Sequence, residues 1–193
     1  AANPDMDKTT ADYYAVQFDY AQDKWTGQAG YYLFKDYFKE KTINLGDKTL
    51  SSADFDTDEL SLWNVGLGYK FDDNFKIAGN YAENTKGEGY NTTGDFTVQG
   101  DESKAYSVEL TYKGYDTKDP GSWDAFVAYR YLGAMVAIGP VYKGAWTDQK
   151  GIEFGVEFVP AENVLATLKY FDGKDISTDQ DASKFFGQLE LQF

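Results

Sequence analysis

The chain alternates apolar and polar residues along most of its length, with a period of two residues. In "SLWNVGLGYKF" (61–71), Trp63, Val65, Leu67, Tyr69 and Phe71 alternate with Asn, Gly and Lys. Such alternation is typical of β-strands that present two faces to two environments, whereas an amphipathic helix repeats every 3.6 residues. No segment of helix length shows the longer repeat convincingly, so the pattern predicts an all-β chain.

Nine segments carry this strand pattern. Each is about ten residues long, and the connections between them are rich in Gly, Asn and Asp. The predicted strands cover residues 12–21, 24–34, 61–71, 75–83, 104–114, 123–133, 150–159, 163–171 and 182–193.

The predicted connections alternate in length. Short turns are expected at 21–24, 71–74 and 159–163, with an intermediate one at 114–122. Short turns on one rim and long loops on the other are typical of antiparallel transmembrane β-barrels of the outer-membrane type, whose strands of about 10 residues cross the bilayer at a tilt. The long loops are predicted near 36–59, 83–103, 133–148 and 172–183.

The composition of the chain excludes several classes of function. The 193 residues include no Cys and no His, which excludes Ser-His-Asp and Cys-His chemistry within this chain and removes the commonest transition-metal ligands. We therefore expect no enzyme activity, no cofactor and no metal centre. A net charge of −14 argues against a nucleic-acid partner, and 18% aromatic residues argue against disorder.

A soluble β-sandwich also alternates, so the positions of aromatic residues and charges have to separate the two interpretations. On the apolar side, aromatic residues recur at strand ends, where their rings meet lipid and their polar tips meet water in a membrane barrel. This favours the transmembrane barrel. The predicted aromatic girdle comprises Tyr14, Tyr20, Trp25, Trp63, Tyr69, Phe75, Tyr81, Tyr106, Tyr112, Trp123, Tyr131, Phe158, Tyr170 and Phe193.

The opposite side of the strands carries charges, six acidic and six basic, which would line a pore of mixed character. We expect Arg130 to form a charge cluster with Glu109, Glu153 and Glu157 near the waist. The alternative is that each is a solvated wall residue that pairs with its neighbours and contributes little. The predicted pore-lining residues are Asp19, Lys70, Lys76, Glu109, Lys113, Asp124, Arg130, Glu153, Glu157, Lys169, Lys184 and Glu190.

The excess acid lies in the loops and favours weak cation selectivity. Calcium binding by "DFDTDE" (54–59) or "DGKDISTDQD" (172–181) is the rival interpretation, but neither has the spacing of an EF-hand loop. The most apolar long loop is 134–146. A pore constriction, packing over the rim and contact with a neighbouring subunit all stay open for it.

Residues 121–193 resemble the end of a bacterial outer-membrane porin. The segments that carry the resemblance are "WDAFVAYRYLG", "FVPAENVLATLKYFDGKD" and "DASKFF" with its terminal Phe. More narrowly, the chain is similar to porins that carry an N-terminal S-layer-homology domain. The resemblance implies a homotrimeric, water-filled channel for passive diffusion of small hydrophilic solutes, in contact with membrane lipid and lipopolysaccharide. It also implies that Phe193 is the signal for the outer-membrane assembly machinery, and that peptidoglycan is bound only through a domain absent here.

Nine is an odd number, whereas single-chain bacterial barrels have an even number of strands. We therefore expect 1–193 to be the C-terminal part of a barrel of about 16 strands, with 1–10 as the remnant of an external loop. The alternative is a complete small barrel with a missed strand near "KTINLG" or "DFTVQGDES". Alternative functions are a structural envelope anchor with little transport role and a soluble β-domain that binds carbohydrate.

Overall fold

The computed structural model describes residues 12–36, 43–45, 48–50, 59–86, 101–136 and 144–192. Within these residues the chain is all-β, and no helix is long and apolar enough to cross a membrane. The strands are β1 (Tyr13–Gln22), β2 (Trp25–Phe34), β3 (Ile43–Leu45), β4 (Lys48–Leu50), β5 (Leu60–Lys70), β6 (Phe75–Asn84), β7 (Lys104–Gly114), β8 (Trp123–Leu132), β9 (Gln149–Ala161), β10 (Val164–Asp175) and β11 (Asp181–Leu191).

Nine of these strands form one antiparallel sheet in the order β1-β2-β5-β6-β7-β8-β9-β10-β11, and all nine predicted strands are confirmed. Each strand of this sheet pairs with the next one along the chain, and β2 pairs directly with β5 because β3 and β4 lie outside the sheet. Among the described residues the sheet is open, with β1 and β11 as its edges. The structure thus supports an antiparallel all-β fold without showing a closed barrel.

Strands β3 and β4 form a separate two-stranded hairpin in the connection between β2 and β5. The segment "KTINLG" therefore does contain a short strand, but that strand does not join the large sheet. Most of "DFTVQGDES" lies outside the described residues, as do residues 1–10 and Phe193.

Two turns on one rim are tighter than predicted. Asp23 and Asn163 adopt left-handed backbone conformations, with φ of 51° and 60°, which Asp and Asn tolerate better than most residues. The predicted turn at 159–163 shrinks to two residues because β9 continues to Ala161. In the turn between β5 and β6, the Asp72 carboxylate accepts hydrogen bonds from the backbone N–H groups of Asn74 and Phe75.

The opposite rim carries the long connections, but one of them is shorter than predicted. β10 runs on to Asp175 because Lys174 and Asp175 pair with Lys150 and Gln149 of β9. The loop expected at 172–183 is therefore reduced to 176–180. The additional backbone pairs hydrogen-bond N–H and C=O groups that a loop would leave to water. β10 therefore continues beyond the segment in which apolar and polar residues alternate.

In the sheet of a soluble protein the apolar face is buried and the polar face is exposed, and here the reverse holds. The apolar side chains are the exposed ones, with Val108 and Phe154 of inner strands each 51% exposed. Several charged and hydroxyl side chains of the other face are buried in β7–β10, as Thr111, Asp124 and Thr167 illustrate. We call these the apolar face and the polar face.

The left-handed turn at Asn163 gives the first prediction. Asn163→Val places a β-branched residue at a positive φ and should lower the free energy of unfolding by about 1–2 kcal/mol, whereas Asn163→Gly should be tolerated. Denaturant unfolding followed by tryptophan fluorescence measures the difference. Glu162→Val, in the same turn without a positive φ, is the control, and equal losses for both valine variants would contradict the turn assignment.

Candidate functional site: a buried charge cluster on the polar face

A buried ionic cluster lies on the polar face where β7, β8 and β9 run side by side. Nη2 of Arg130 donates to Oε2 of Glu109 at 2.8 Å and to Oε1 of Glu153 at 2.9 Å. Nε of Arg130 donates a second bond to the same Glu153 oxygen at 3.2 Å. The antiparallel register places Ala128 between Glu109 and Glu153. Because Ala128 is small, it leaves room for the guanidinium of Arg130, which lies two residues further along β8 on the same face.

The cluster is closed to solvent to a degree unusual for charged groups. Arg130 is 2% exposed and Glu153 is 0% exposed, while the Glu109 side chain is 30% exposed. Buried charges are costly unless they are paired and fully hydrogen-bonded, and a planar guanidinium suits two carboxylates well. One cation between two acids leaves a formal excess of one negative charge, which the protein must compensate by further hydrogen bonds.

Part of that compensation comes from the connection between β8 and β9. The backbone N–H of Ala145 donates to Oε2 of Glu153 at 2.9 Å, and Ala145 is fully buried. A Cβ added at Gly144 would collide with the same carboxylate, so any other residue there would displace the Glu153 side chain. Residues 144–146 therefore lie on the polar face itself, and not only at its rim.

The earlier part of the same connection packs over the rim. Met135 and Val136 join Leu60 and Leu62 in a buried apolar cluster, and the Met135 carbonyl accepts a hydrogen bond from Asn84. Of the three placements left open for 134–146, the described residues show rim packing at one end and contact with the polar face at the other. Residues 137–143 lie outside the described residues.

Aromatic rings and cations accompany the cluster along the polar face. Nζ of Lys184 lies 3.9 Å from the ring centroid of Trp146, and Nζ of Lys169 lies 5.0 Å from that of Phe126. The Phe126 ring covers Gly155 of the neighbouring strand, where any Cβ would overlap it. Ammonium groups over ring faces gain electrostatic attraction, so both lysines have a defined resting position.

Strand pairing also settles where the other predicted wall residues lie. Directly paired residues in an antiparallel ladder share a face, so the register can be followed from strand to strand. Glu157 is paired with Asp124 and makes no hydrogen bond to Arg130, so it does not belong to the cluster as expected. The register assigns to the polar face Asp19, Lys70, Lys76, Glu109, Asp124, Arg130, Glu153, Glu157, Lys169, Lys184 and Glu190.

Lys113 departs from the prediction. Its partner in the ladder is Asp124, but its φ is 65° and its Nζ lies 4.6 Å from the ring centroid of Trp123, on the apolar side. A left-handed residue near the end of β7 turns its side chain away from the strand's alternation. The Lys113 ammonium therefore lies over an aromatic ring at the rim that carries the short turns.

The predicted girdle residues that the structure describes all have the parity of the apolar face, and several of them meet in pairs near the strand ends. Toward the short turns, Trp25 packs on Tyr69 at 4.5 Å between ring centroids, and Phe75 packs on Tyr112 at 4.9 Å. Toward the long connections, Tyr106 stacks on Tyr131 at 4.8 Å. The aliphatic side chains between these two bands include Leu67, Val108, Leu110 and Val127.

The carboxylates of the acidic segment 172–181 do not converge on one point. Asp179 forms ion pairs with Lys174 at 3.1 Å and Lys150 at 3.6 Å, and the hydrogen bond from Lys174 lowers the pKa of Asp179. Within the described ranges no group of three or more Asp and Glu side chains is arranged to hold a metal ion. Residues 54–58 of the other candidate segment lie outside those ranges.

Sequence reasoning missed several residues that complete the site. Phe126 and Phe171 interrupt the polar parity of β8 and β10, so the alternation did not assign them to the site, and Phe171 packs with Ala145 in a buried apolar cluster. For Ala145, the signal was the apolar character of the 134–146 connection.

Neither a scan against known protein-family models nor a search of the curated proteins finds a match to this chain.

The buried cluster gives the second prediction. Arg130→Met leaves two neighbouring acids without their cation and should cost about 3–5 kcal/mol of unfolding free energy, part of which Glu153→Gln in the same chain should restore. Denaturant unfolding and the corresponding double-mutant cycle measure both effects.

The exposed pair between Lys70 and Asp73 is the matched control. It has a similar distance, 3.3 Å, but side chains that are 54% and 99% exposed, so Lys70→Met should cost no more than about 1 kcal/mol. Similar losses for Arg130→Met and Lys70→Met would contradict a buried, structurally required cluster.

Proposed function

We propose that this chain forms part of the wall of a water-filled outer-membrane channel through which small hydrophilic solutes diffuse passively. The observation that carries the proposal is the reversed burial of the sheet, with aliphatic and aromatic side chains exposed and the charges of Asp124, Arg130 and Glu153 buried. Soluble monomers seldom expose contiguous apolar patches beyond a few hundred Å². A face made of such side chains across nine strands fits hydrocarbon better than water.

Free-energy estimates point the same way. Burial of one Val, Leu, Ile or Phe side chain is worth about 1.5–3 kcal/mol, so an apolar face left in water would lack this stabilisation across the sheet. Contact with acyl chains would supply it. The charges of the Arg130 cluster face no equivalent problem, because they pair with one another.

The dimensions of the apolar face also suit a bilayer. The nine sheet strands contain 10 to 13 residues, a length that spans hydrocarbon when the strands tilt. Aromatic pairs near both strand ends, with aliphatic side chains between them, match the two interfacial girdles of outer-membrane barrels. Apolar docking onto another protein would not require that banding.

A channel requires that the two sheet edges be paired. Nine strands of alternating direction leave β1 and β11 running the same way, so antiparallel closure needs an odd number of additional strands between them. We propose a barrel that also includes strands outside this sheet, assembled as a homotrimer in contact with lipopolysaccharide. Recognition of Phe193 by the assembly machinery belongs to the same proposal, and Phe193 lies outside the described residues.

Transport would occur along the polar face. Its exposed charges set the local concentration of ions and the orientation of dipolar solutes. The Arg130 cluster is buried under residues 144–146, so we assign it to holding the wall and the connection in place. Lys184, which lies over Trp146, is our candidate for direct contact with passing solutes.

The third prediction concerns ion selectivity. Lys184→Gln removes one positive charge from the polar face and should shift the reversal potential in a salt gradient toward cations while single-channel steps persist. Planar-bilayer recordings of the protein in its assembled, lipid-reconstituted form measure both quantities.

Lys118→Gln is the matched control, since Lys118 lies in the turn between β7 and β8, away from the wall. It should leave selectivity unchanged. Equal shifts for the two variants would sink the assignment of Lys184 to the conducting surface. A chain that stays monodisperse in buffer without detergent would contradict the membrane proposal as a whole.

A further inference from the structure

Three connections meet at the long-connection rim around two buried carboxyl groups, Glu102 and Asp148. Glu102 precedes β7 and is 0% exposed, and Asp148 precedes β9 and is 5% exposed. Each holds a different part of the rim in place. Neither contributes to the Arg130 cluster, so this pair is separate from the site described above.

Glu102 fixes the start of the connection between β8 and β9. Its Oε2 accepts the backbone N–H of Ala134 at 2.6 Å, and its backbone carbonyl accepts that of Met135 at 3.0 Å. Its other oxygen, Oε1, is buried without a hydrogen-bond partner among the described residues. The Glu102 carboxyl lies within hydrogen-bonding reach of the Asp148 carboxyl. A buried acceptor that meets no donor is costly, and a proton on Glu102 that is donated to Asp148 would remove this cost.

Asp148 fixes the end of the same connection and the neighbouring one. Its carboxylate accepts the backbone N–H of Ser177 at 2.8 Å and the Ser177 hydroxyl at 2.6 Å. Its backbone carbonyl accepts the N–H of Ile176 at 2.8 Å. Both Asp148 oxygens are therefore committed as acceptors, and they suit a proton donor from Glu102 better than a second negative charge.

We propose that a protonated Glu102 carboxyl donates a hydrogen bond to the Asp148 carboxylate and thereby latches the two described ends of the β8–β9 connection, 133–136 and 144–148, to the rim. Loss of this proton releases the connection at these two ends. The latch concerns the fold alone and does not depend on the transport proposal. Because residues 144–146 of the same connection cover Glu153, its release would also uncover the Arg130 cluster.

The electrostatic surroundings of Glu102 favour the protonated form. Burial is the largest effect, and together with the neighbouring Asp148 and Asp101 it raises the pKa of Glu102 to about 8. Partial burial acts to raise the pKa of Asp101 as well, but hydrogen bonds from Lys104 and Ser103 outweigh it and hold that pKa below its usual range.

The other acidic groups near Glu102 and Asp148 are Asp101 and Asp175. Asp101 stays ionised beside its lysine, and its N–H donates to the Tyr131 hydroxyl at 2.8 Å. Asp175, at the end of β10, faces Asp148 and accepts a hydrogen bond from Gln149. The charges that act on Glu102 most strongly are thus acidic, which leaves Glu102 as the group that holds the proton.

The sign of the pH dependence follows from linkage. The pKa of Glu102 is higher in the latched state than in the open state, where it approaches the ordinary value of a glutamate, so the latch is fully stable only below that ordinary value. Its stability is lost as pH rises from about 5 to about 8, by up to about tenfold in the opening equilibrium per pH unit, and then levels off.

The fourth prediction tests this latch by amide hydrogen exchange of the full chain, expressed as protection factors that remove the intrinsic pH dependence. Protection of the Ala134, Met135 and Ser177 amides should fall steeply between pH 5 and pH 8. The Gly121 amide, bonded to Val159 at the opposite rim, should show no such fall. Glu102→Gln, which keeps a donor toward Asp148 without a titratable proton, should abolish the pH dependence.

Asp101→Asn is the matched control, because it removes a neighbouring acid and should keep the steep fall. Flat protection in the wild-type chain, or the same fall in Glu102→Gln, would overturn the latch. Should Glu102→Gln fail to fold, difference infrared spectroscopy of the wild-type chain decides. A protonated carboxyl band that disappears between pH 7 and pH 9 supports the proposal, and the absence of such a band at pH 7 rejects it.

Discussion

Continuous antiparallel pairing across nine strands is the constraint on which the rest of the structure depends. Each direct pair keeps two side chains on the same face, so the alternation of one strand is transmitted to the next. A slip of one residue between any two strands would move charges such as Glu153 onto the apolar face and aromatic residues onto the polar face. The buried cluster, the aromatic bands and the covering connection all require this common register.

The polar face shows how a wall can carry charges without destabilising itself. Arg130 joins two acids from adjacent strands, and a backbone N–H from a distant connection completes the shell of Glu153. The same connection is fixed at its two ends by Glu102 and Asp148. Ionic pairing, backbone hydrogen bonding and the proposed carboxyl latch therefore act on one connection, which links the rim to the polar face.

The strands and their faces could be predicted from the sequence because a period of two is a local signal that each strand carries independently. The pairing of Arg130 with Glu109 and Glu153 was also predictable, since it needs only parity and neighbouring strands. Other features depend on tertiary contacts that no local pattern encodes. β10 extends to Asp175 through pairing with β9, Ala145 reaches Glu153 through a folded connection, and Lys113 leaves its parity through a left-handed backbone.

The central claim is that the apolar face contacts lipid and the polar face contacts water, and two tryptophans of similar exposure test it. Trp25 on the apolar face is 47% exposed, and Trp146 beside Lys184 is 54% exposed. In lipid-reconstituted protein with a single tryptophan retained at either position, brominated acyl chains should quench Trp25 strongly and Trp146 weakly, whereas aqueous iodide should do the reverse. Equal quenching of both by brominated lipid, or stronger quenching of Trp146, would contradict the account.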